Sequence, residues 1–239
     1  MTESRSEAWI EEAVEFVQKQ LAASADPEKA RGMQAYMKTE MPFYGVLKAG
    51  RTPIVRHLVK QFKPSTGDEY ESLVRTLWAM PHREEKYIAL SVARRFKSFI
   101  RPDRLPLYHD LIVEGSWWDF VDEVATKLIG QLVLDHPGEV WPVVDGWAGH
   151  ENMWLRRTAI ICQIGAKEET DRRRLFLFSE AMLDEKEFFI RKAIGWALRE
   201  YAKTDRQAVA DFVRRHADEM SGLTYREASK HIRHLVEPT

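Results

Sequence analysis

Apolar residues recur at gaps of three and four along nearly the whole chain, and strand-like alternation is hard to find. The pattern predicts helices over residues 7–21, 28–38, 53–62, 69–80, 83–99, 104–113, 117–134, 139–148, 153–164, 171–183, 187–202, 206–217 and 224–235. Their boundaries carry turn and capping chemistry. Asp26-Pro27-Glu28 offers an N-cap followed by proline at the first helical position, and Pro64-Ser65-Thr66-Gly67-Asp68 and His136-Pro137-Gly138 interrupt the periodicity. Met41-Pro42-Phe43-Tyr44-Gly45 also breaks the pattern. The regular cadence of breakers suits short antiparallel helix pairs. It predicts an all-α, HEAT-like helical-repeat solenoid with a concave face, forming one domain over 1–239, with a compact bundle as the alternative.

Periodicity also sorts the aromatic residues. In the helix expected over 117–134, Trp117, Val121, Val124, Leu128 and Leu132 form the apolar stripe. Ser116 and Asp119 have capping-box spacing, which assigns both to starting that helix. Trp118 and Asp122 are left over. They are one turn apart and project together about 100° from the stripe, which reads either as a half-exposed indole beside a solvated acid or as the start of a site. In the helix over 187–202 the stripe is Ile190, Ala193, Ile194, Ala197 and Tyr201, and Trp196 again falls off it, with Lys192 and Arg199 as face neighbours. In a solenoid such off-core residues from successive repeats converge on one surface, so two tryptophans and a carboxylate there would form a shallow aromatic cleft.

Charge and composition narrow the field. The 239 residues are 44% hydrophobic and 31% charged, with a formal net charge of −1, so no global basicity points to nucleic acid. Local basic clusters do occur, at Arg94-Arg95, Arg156-Arg157, Arg172-Arg173-Arg174, Arg191-Lys192 and Arg214-Arg215. Each alone reads as a solvated face; their recurrence across the second half is what a phosphate-tracking surface needs. The single cysteine, Cys162, lies in an apolar run and reads as a small buried hydrophobe, which suits a reducing, cytoplasmic setting. The eight histidines show no metal-ligand spacing beyond the weak His231/His234 pair, so no metal is expected. Phosphate-cradling glycine motifs and a nucleophile elbow are missing, and no cofactor is expected. No apolar run reaches the roughly 18 residues that would span a bilayer, and the acidic, amphipathic beginning of the chain is unlike a secretory leader.

Three segments resemble the AlkD-type DNA alkylation repair glycosylases: Ser116-Trp117-Trp118-Asp119-Phe120-Val121-Asp122, Trp154-Leu155-Arg156-Arg157-Thr158-Ala159-Ile160, and the run from Lys186 to Thr204 that contains Arg191-Lys192-Ala193-Ile194-Gly195-Trp196. Pro27-Glu28-Lys29-Ala30, Tyr36-Met37-Lys38 and Arg226-Glu227-Ala228-Ser229-Lys230-His231-Ile232 also fit, so the likeness covers nearly the whole chain. The resemblance implies a HEAT-like solenoid and a monomeric, monofunctional glycosylase without lyase activity. Its substrate would be cationic N3- and N7-alkylated purines in double-stranded DNA, released without flipping the lesion into a pocket. Carried across by position, it implies catalytic roles for Trp118, Asp122 and Trp196. It implies DNA contacts for Arg157 and Tyr36, to which the basic face adds Lys192 and Arg199. The chain departs from the family pattern at 48–53 and 165–173, which bears on lesion range. The competing expectations are a non-catalytic DNA-binding relative and a protein-interaction scaffold.

Overall fold

A computed structural model of the chain describes residues 2–236, with side chains from residue 8 onward. Among the described residues the regular structure is helical throughout. The chain divides into two compact units, Met1–Ile100 and Arg101–Thr239.

The first unit holds α1 (Thr2–Ala23), α2 (Pro27–Met37), α3 (Lys48–Gln61), α4 (Gly67–Ala79) and α5 (Arg83–Arg95). The Asp26 cap is the one the sequence predicts, and the turn read at 64–68 supplies a second. The Asp26 carboxylate accepts from the Lys29 amide with Pro27 in the first turn of α2, and Thr66 caps α4 through the Glu69 amide. The core is built where α1 meets α3 and α4, from Val17, Leu21, Leu58, Leu73 and Leu77, all fully buried. Three boundaries differ most from expectation. α1 begins earlier, at Thr2. α3 begins earlier, at Lys48, and takes Pro53 inside it. α5 stops at Arg95 and gives way to a 3₁₀ turn, Lys97–Phe99.

The break at Met41 to Gly45 is an extended segment that leaves its amides without helical partners, and a buried acid supplies them. The Glu84 carboxylate, fully buried, accepts from the amides of Tyr44 at 3.1 Å, Gly45 at 2.8 Å and Val46 at 2.9 Å. Glu85 accepts from the Tyr44 hydroxyl at 3.1 Å and the His82 amide at 2.8 Å, closing a capping box on α5. Burial, with Glu85 and Glu84 beside it, pushes the Tyr44 phenol up to about 12. Gly45 is needed here: its φ is +86°, and a Cβ would fall 2.1 Å from the Asp26 carbonyl oxygen.

The second unit holds α6 (Leu105–Gly115), α7 (Trp118–Val124), α8 (Gly130–Asp135), α9 (Pro137–Ala148), α10 (Met153–Ile161), α11 (Arg172–Ala181), α12 (Phe188–Tyr201), α13 (Arg206–Arg215), α14 (Gly222–Ala228) and α15 (Arg233–Val236). α10 is central, packed against α6, α7, α9 and α12, and α12 in turn packs against α14. Most of the apolar stripes read from the sequence are buried, Val121, Val124, Leu128 and Leu132 on one side and Ile190, Ala193, Ile194 and Ala197 on the other, whereas Trp117 and Tyr201 at their ends are only half-buried. Cys162 is buried as expected, and desolvation pushes its thiol up to about 12.

The helix expected over 117–134 is continuous but not regular. Residues Ala125–Ile129 form a π-helical segment between α7 and α8. At its end Gly130 lies against the end of α10, where a Cβ would come 2.6 Å from the Cys162 carbonyl oxygen. The close approach accommodates α10, and periodicity alone carries no sign of it. Among the described residues no helix is long and apolar enough to cross a membrane.

Candidate active site

Three helix starts are locked together by aromatic rings. Trp117 opens α7, Trp154 lies in the first turn of α10, and Phe189 in the first turn of α12. Ring centroids are 6.3 Å apart for Trp117 and Trp154, 5.5 Å for Trp117 and Phe189, and 5.0 Å for Trp154 and Phe189. Such pairs add to simple area burial and fix the relative register of the helices that carry them. The role of Ser116 differs from the capping box expected for it. Ser116 sits in the left-handed region at φ 38° as the C-cap of α6, its hydroxyl donates back to the Val113 carbonyl, and α7 has no side-chain N-cap. Two helices abut at this point, so the residue between them closes the first and leaves the extended Trp117 to open the second. Trp117 is half-buried, with its Nε1 enclosed and without a hydrogen-bond partner among the described residues.

One turn in from this cluster, α7 presents Asp122 and α10 presents Arg157. Arg157 Nε donates to Asp122 Oδ1 at 2.7 Å and Nη2 to Oδ2 at 2.8 Å, a bidentate pair, while Nη1 donates to the Phe189 carbonyl at 2.6 Å. One guanidinium thus ties α7, α10 and α12 together. The pair is largely withdrawn from solvent, with side-chain exposures of 4% for Arg157 and 18% for Asp122. Burial pushes the Asp122 carboxyl above its ordinary value; Arg157 pulls the other way, and Asp119 adds a smaller push upward. Thr126 donates to the Asp122 carbonyl at 2.7 Å, a back-bond that goes with the loosening of this helix into its π segment.

Trp118 and Trp196, both placed off the core stripes by periodicity, are half-buried, and neither rests on another ring among the described residues. Trp196 is flanked on its own helix face by Lys192 and Arg199, and both cations meet a carboxylate from α14. Lys192 Nζ donates to Glu227 Oε1 at 2.6 Å, and Arg199 Nη1 donates to Glu227 Oε2. Burial, then the positive charges of Arg199 and Arg157, push the Lys192 ammonium below its ordinary value, so the three cations sense one another. The result is a group of charges carried by four helices, in which Asp122 pairs with Arg157 and Glu227 pairs with both Lys192 and Arg199.

Arg157, expected at the DNA backbone, is therefore a buried partner of Asp122. Tyr36 lies on α2 of the first unit and is 74% exposed. Among the described residues no three His, Cys, Asp or Glu side chains are grouped as metal ligands. Sequence reasoning passed over Glu227, Gly195 and the Phe189 carbonyl. Gly195 carried a usable signal: a glycine inside an otherwise regular helix marks close approach, and here a Cβ would fall 2.4 Å from Glu227 Cβ.

Comparison with known proteins bears on this geometry. The structure is similar to one described as a predicted DNA alkylation repair enzyme from Enterococcus faecalis, at 29% identity and a TM-score of 0.76, covering 87% of this chain and 96% of that one. It is also similar to AlkD2 from Streptococcus mutans, at 14% identity and a TM-score of 0.60, covering 85% of this chain and 99% of that one, a likeness of fold. No curated protein matches the chain. The expected all-α helical-repeat fold class holds. The model of the DNA alkylation repair enzyme family matches residues 17–232, across both units, and the chain belongs to that family.

Proposed function

We propose that this protein is a monofunctional DNA glycosylase. It acts as a monomer on duplex DNA and hydrolyses the N-glycosidic bond of cationic N3- and N7-alkylated purines, such as 3-methyladenine and 7-methylguanine, without flipping the lesion into a pocket. The observation that carries this reading is the Asp122 carboxylate, held by a bidentate arginine one turn from Trp118 in a chain that belongs to an alkylation repair family.

The chemistry follows from the charge of the substrate. An alkylated purine already carries a positive charge, so it leaves as a neutral base and needs little acid catalysis. The electron pair of the breaking C–N bond goes to the purine, and the positive charge moves to the sugar as an oxocarbenium-like centre. The Asp122 carboxylate stabilises that centre and orients the water that attacks it. The faces of Trp118 and Trp196 attract the cationic sugar and its polarised C–H bonds. The water adds at the sugar carbon and loses its proton, leaving an abasic site.

Arg157 acts mainly through Asp122, whose oxygens it fixes. Lys192 and Arg199 face the backbone phosphates on either side of Trp196, and Tyr36 makes a DNA contact from the first unit. A lyase would need a free amine at the sugar carbon; the Lys192 amine is bound to Glu227 instead.

The test is incubation with methylated duplex DNA. Free 7-methylguanine and 3-methyladenine should appear, with an intact abasic strand and no adduct trapped by borohydride. Retarded DNA without released base would identify a non-catalytic binder, and neither effect would identify a scaffold.

A further inference from the structure

We infer that Glu227 is a positioning residue for the reaction proposed above: it fixes Lys192 and Arg199 on the face of α12 that carries Trp196, so that the DNA backbone meets a preset pair of cations. The inference rests on the glycosylase reading for its catalytic part and on geometry for the rest.

The geometry begins with a missing side chain. α12 and α14 approach so closely at Gly195 that a Cβ there would lie 2.4 Å from Glu227 Cβ, 3.1 Å from the Thr224 carbonyl oxygen and 3.4 Å from Glu227 Cγ. The stem of Glu227 therefore crosses α12 at the residue before Trp196. Its two oxygens then divide between Lys192, at 2.6 Å, and Arg199. Those cations stand four positions before and three positions after Trp196, which is one face of a helix. Glu227 and Arg199 are only 20% and 18% exposed, so water screens the bridge weakly.

Without this carboxylate the arrangement would not hold. Arg157, Lys192 and Arg199 carry like charge, and burial first, then Arg199 and Arg157, hold the Lys192 ammonium below its ordinary value. Asp122 neutralises one charge and Glu227 a second, leaving a net local charge of about +1 from three cations and two carboxylates. Glu227 is a fixture rather than a gate, because its Cβ and Cγ are wedged over Gly195 and have no room to swing toward α12. It also leaves donors over. Lys192 commits one of its ammonium hydrogens to Glu227 and Arg199 one of its five N–H groups, and the rest can serve phosphate oxygens.

The test is Glu227→Gln, which keeps the shape and removes the charge. Affinity for duplex DNA at low salt should be equal or higher, because the local charge rises. The slope of log K against log salt should steepen by up to about 0.9, one phosphate's worth. Single-turnover release of 7-methylguanine at saturating DNA should nevertheless fall roughly tenfold, because binding and orientation separate. An unchanged rate at saturation would overturn the positioning role. If the variant is less stable to urea, the cycle is repeated in a Lys192→Met/Arg199→Met background, where Glu227→Gln should slow release no further; an equal slowing there also overturns it. Should the wild-type protein release no base at all, the glycosylase reading fails by itself. The salt slope of Glu227→Gln then still decides whether this carboxylate holds the two cations, since an unchanged slope means that it does not.

Discussion

Arg157 and Asp122 meet through two parallel hydrogen bonds, at 2.7 and 2.8 Å, with the arginine almost wholly buried and the aspartate on the solvent side of it. Burial raises the Asp122 carboxyl despite the arginine. Asp122→Asn removes the charge, keeps the shape and leaves Arg157 bonded to the Phe189 carbonyl. Base release in single turnover should fall about 100-fold or more, while stability falls only in part, because the buried guanidinium loses its counter-charge but keeps an amide oxygen and the Phe189 carbonyl as acceptors. A variant that unfolds in proportion to its lost activity would contradict this separation of roles.

The same pair sets a pH dependence. The proposed mechanism needs the ionised carboxylate, so activity should fall as pH drops through the Asp122 pKa, which burial raises above the ordinary value of about 3.9. Arg157 is the group that pulls this pKa down. Arg157→Gln should therefore move the acid limb of the single-turnover profile to higher pH, and a limb that stays in place or moves lower would refute the coupling. Stability has the matching sign. The unfolded chain releases this proton first, so the contribution of Asp122 becomes unfavourable as pH rises from about 4 through the native pKa. Urea midpoints across that window, compared with Asp122→Asn, measure it.

The helices and their buried stripes were legible because a period of 3.6 is written in the positions of Val121, Val124, Ile190 and Ile194. The same rule exposed Trp118, Asp122 and Trp196 as residues the core does not use. The rule could not pair residues across helices. Arg157 and Asp122 are 35 positions apart, and only the packing of Trp117, Trp154 and Phe189 brings their helices into register. Lys192 and Glu227 are likewise 35 positions apart, and their meeting depends on the space at Gly195. Ser116 misled for a related reason: a capping motif describes one helix, and here two helices compete for the same residue.

Gly195→Ala opposes two effects. Alanine favours a helix interior by about 1 kcal/mol over glycine. The new methyl group would collide with Glu227 Cβ at 2.4 Å and crowd the Thr224 carbonyl at 3.1 Å, and the second contact is with backbone that cannot turn aside. Overpacking of this kind costs about 1–3 kcal/mol. The collision should win, so the urea midpoint falls, and base release falls with it because α14 carries Glu227 away from Lys192. A more stable variant would show that α14 can retreat freely.

Trp117 and Trp118 are adjacent, but their substitutions should separate into different measurements. Trp117 joins Trp154 and Phe189, so Trp117→Ala opens a hole where three helices start and should cost about 2–4 kcal/mol. Its Nε1 is enclosed without a partner among the described residues, so Trp117→Phe, which removes that N–H and keeps a ring, should cost much less. Among the described residues Trp118 rests on no other ring, and it is off the buried stripe. Trp118→Ala should change stability by about 1 kcal/mol or less while slowing base release by roughly an order of magnitude or more, the contribution expected of a lost cation–π face. Urea denaturation and single-turnover release on the three variants distinguish the cases. Equal losses of stability at 117 and 118 would place both indoles in the packing and leave Asp122 to act with Trp196 alone.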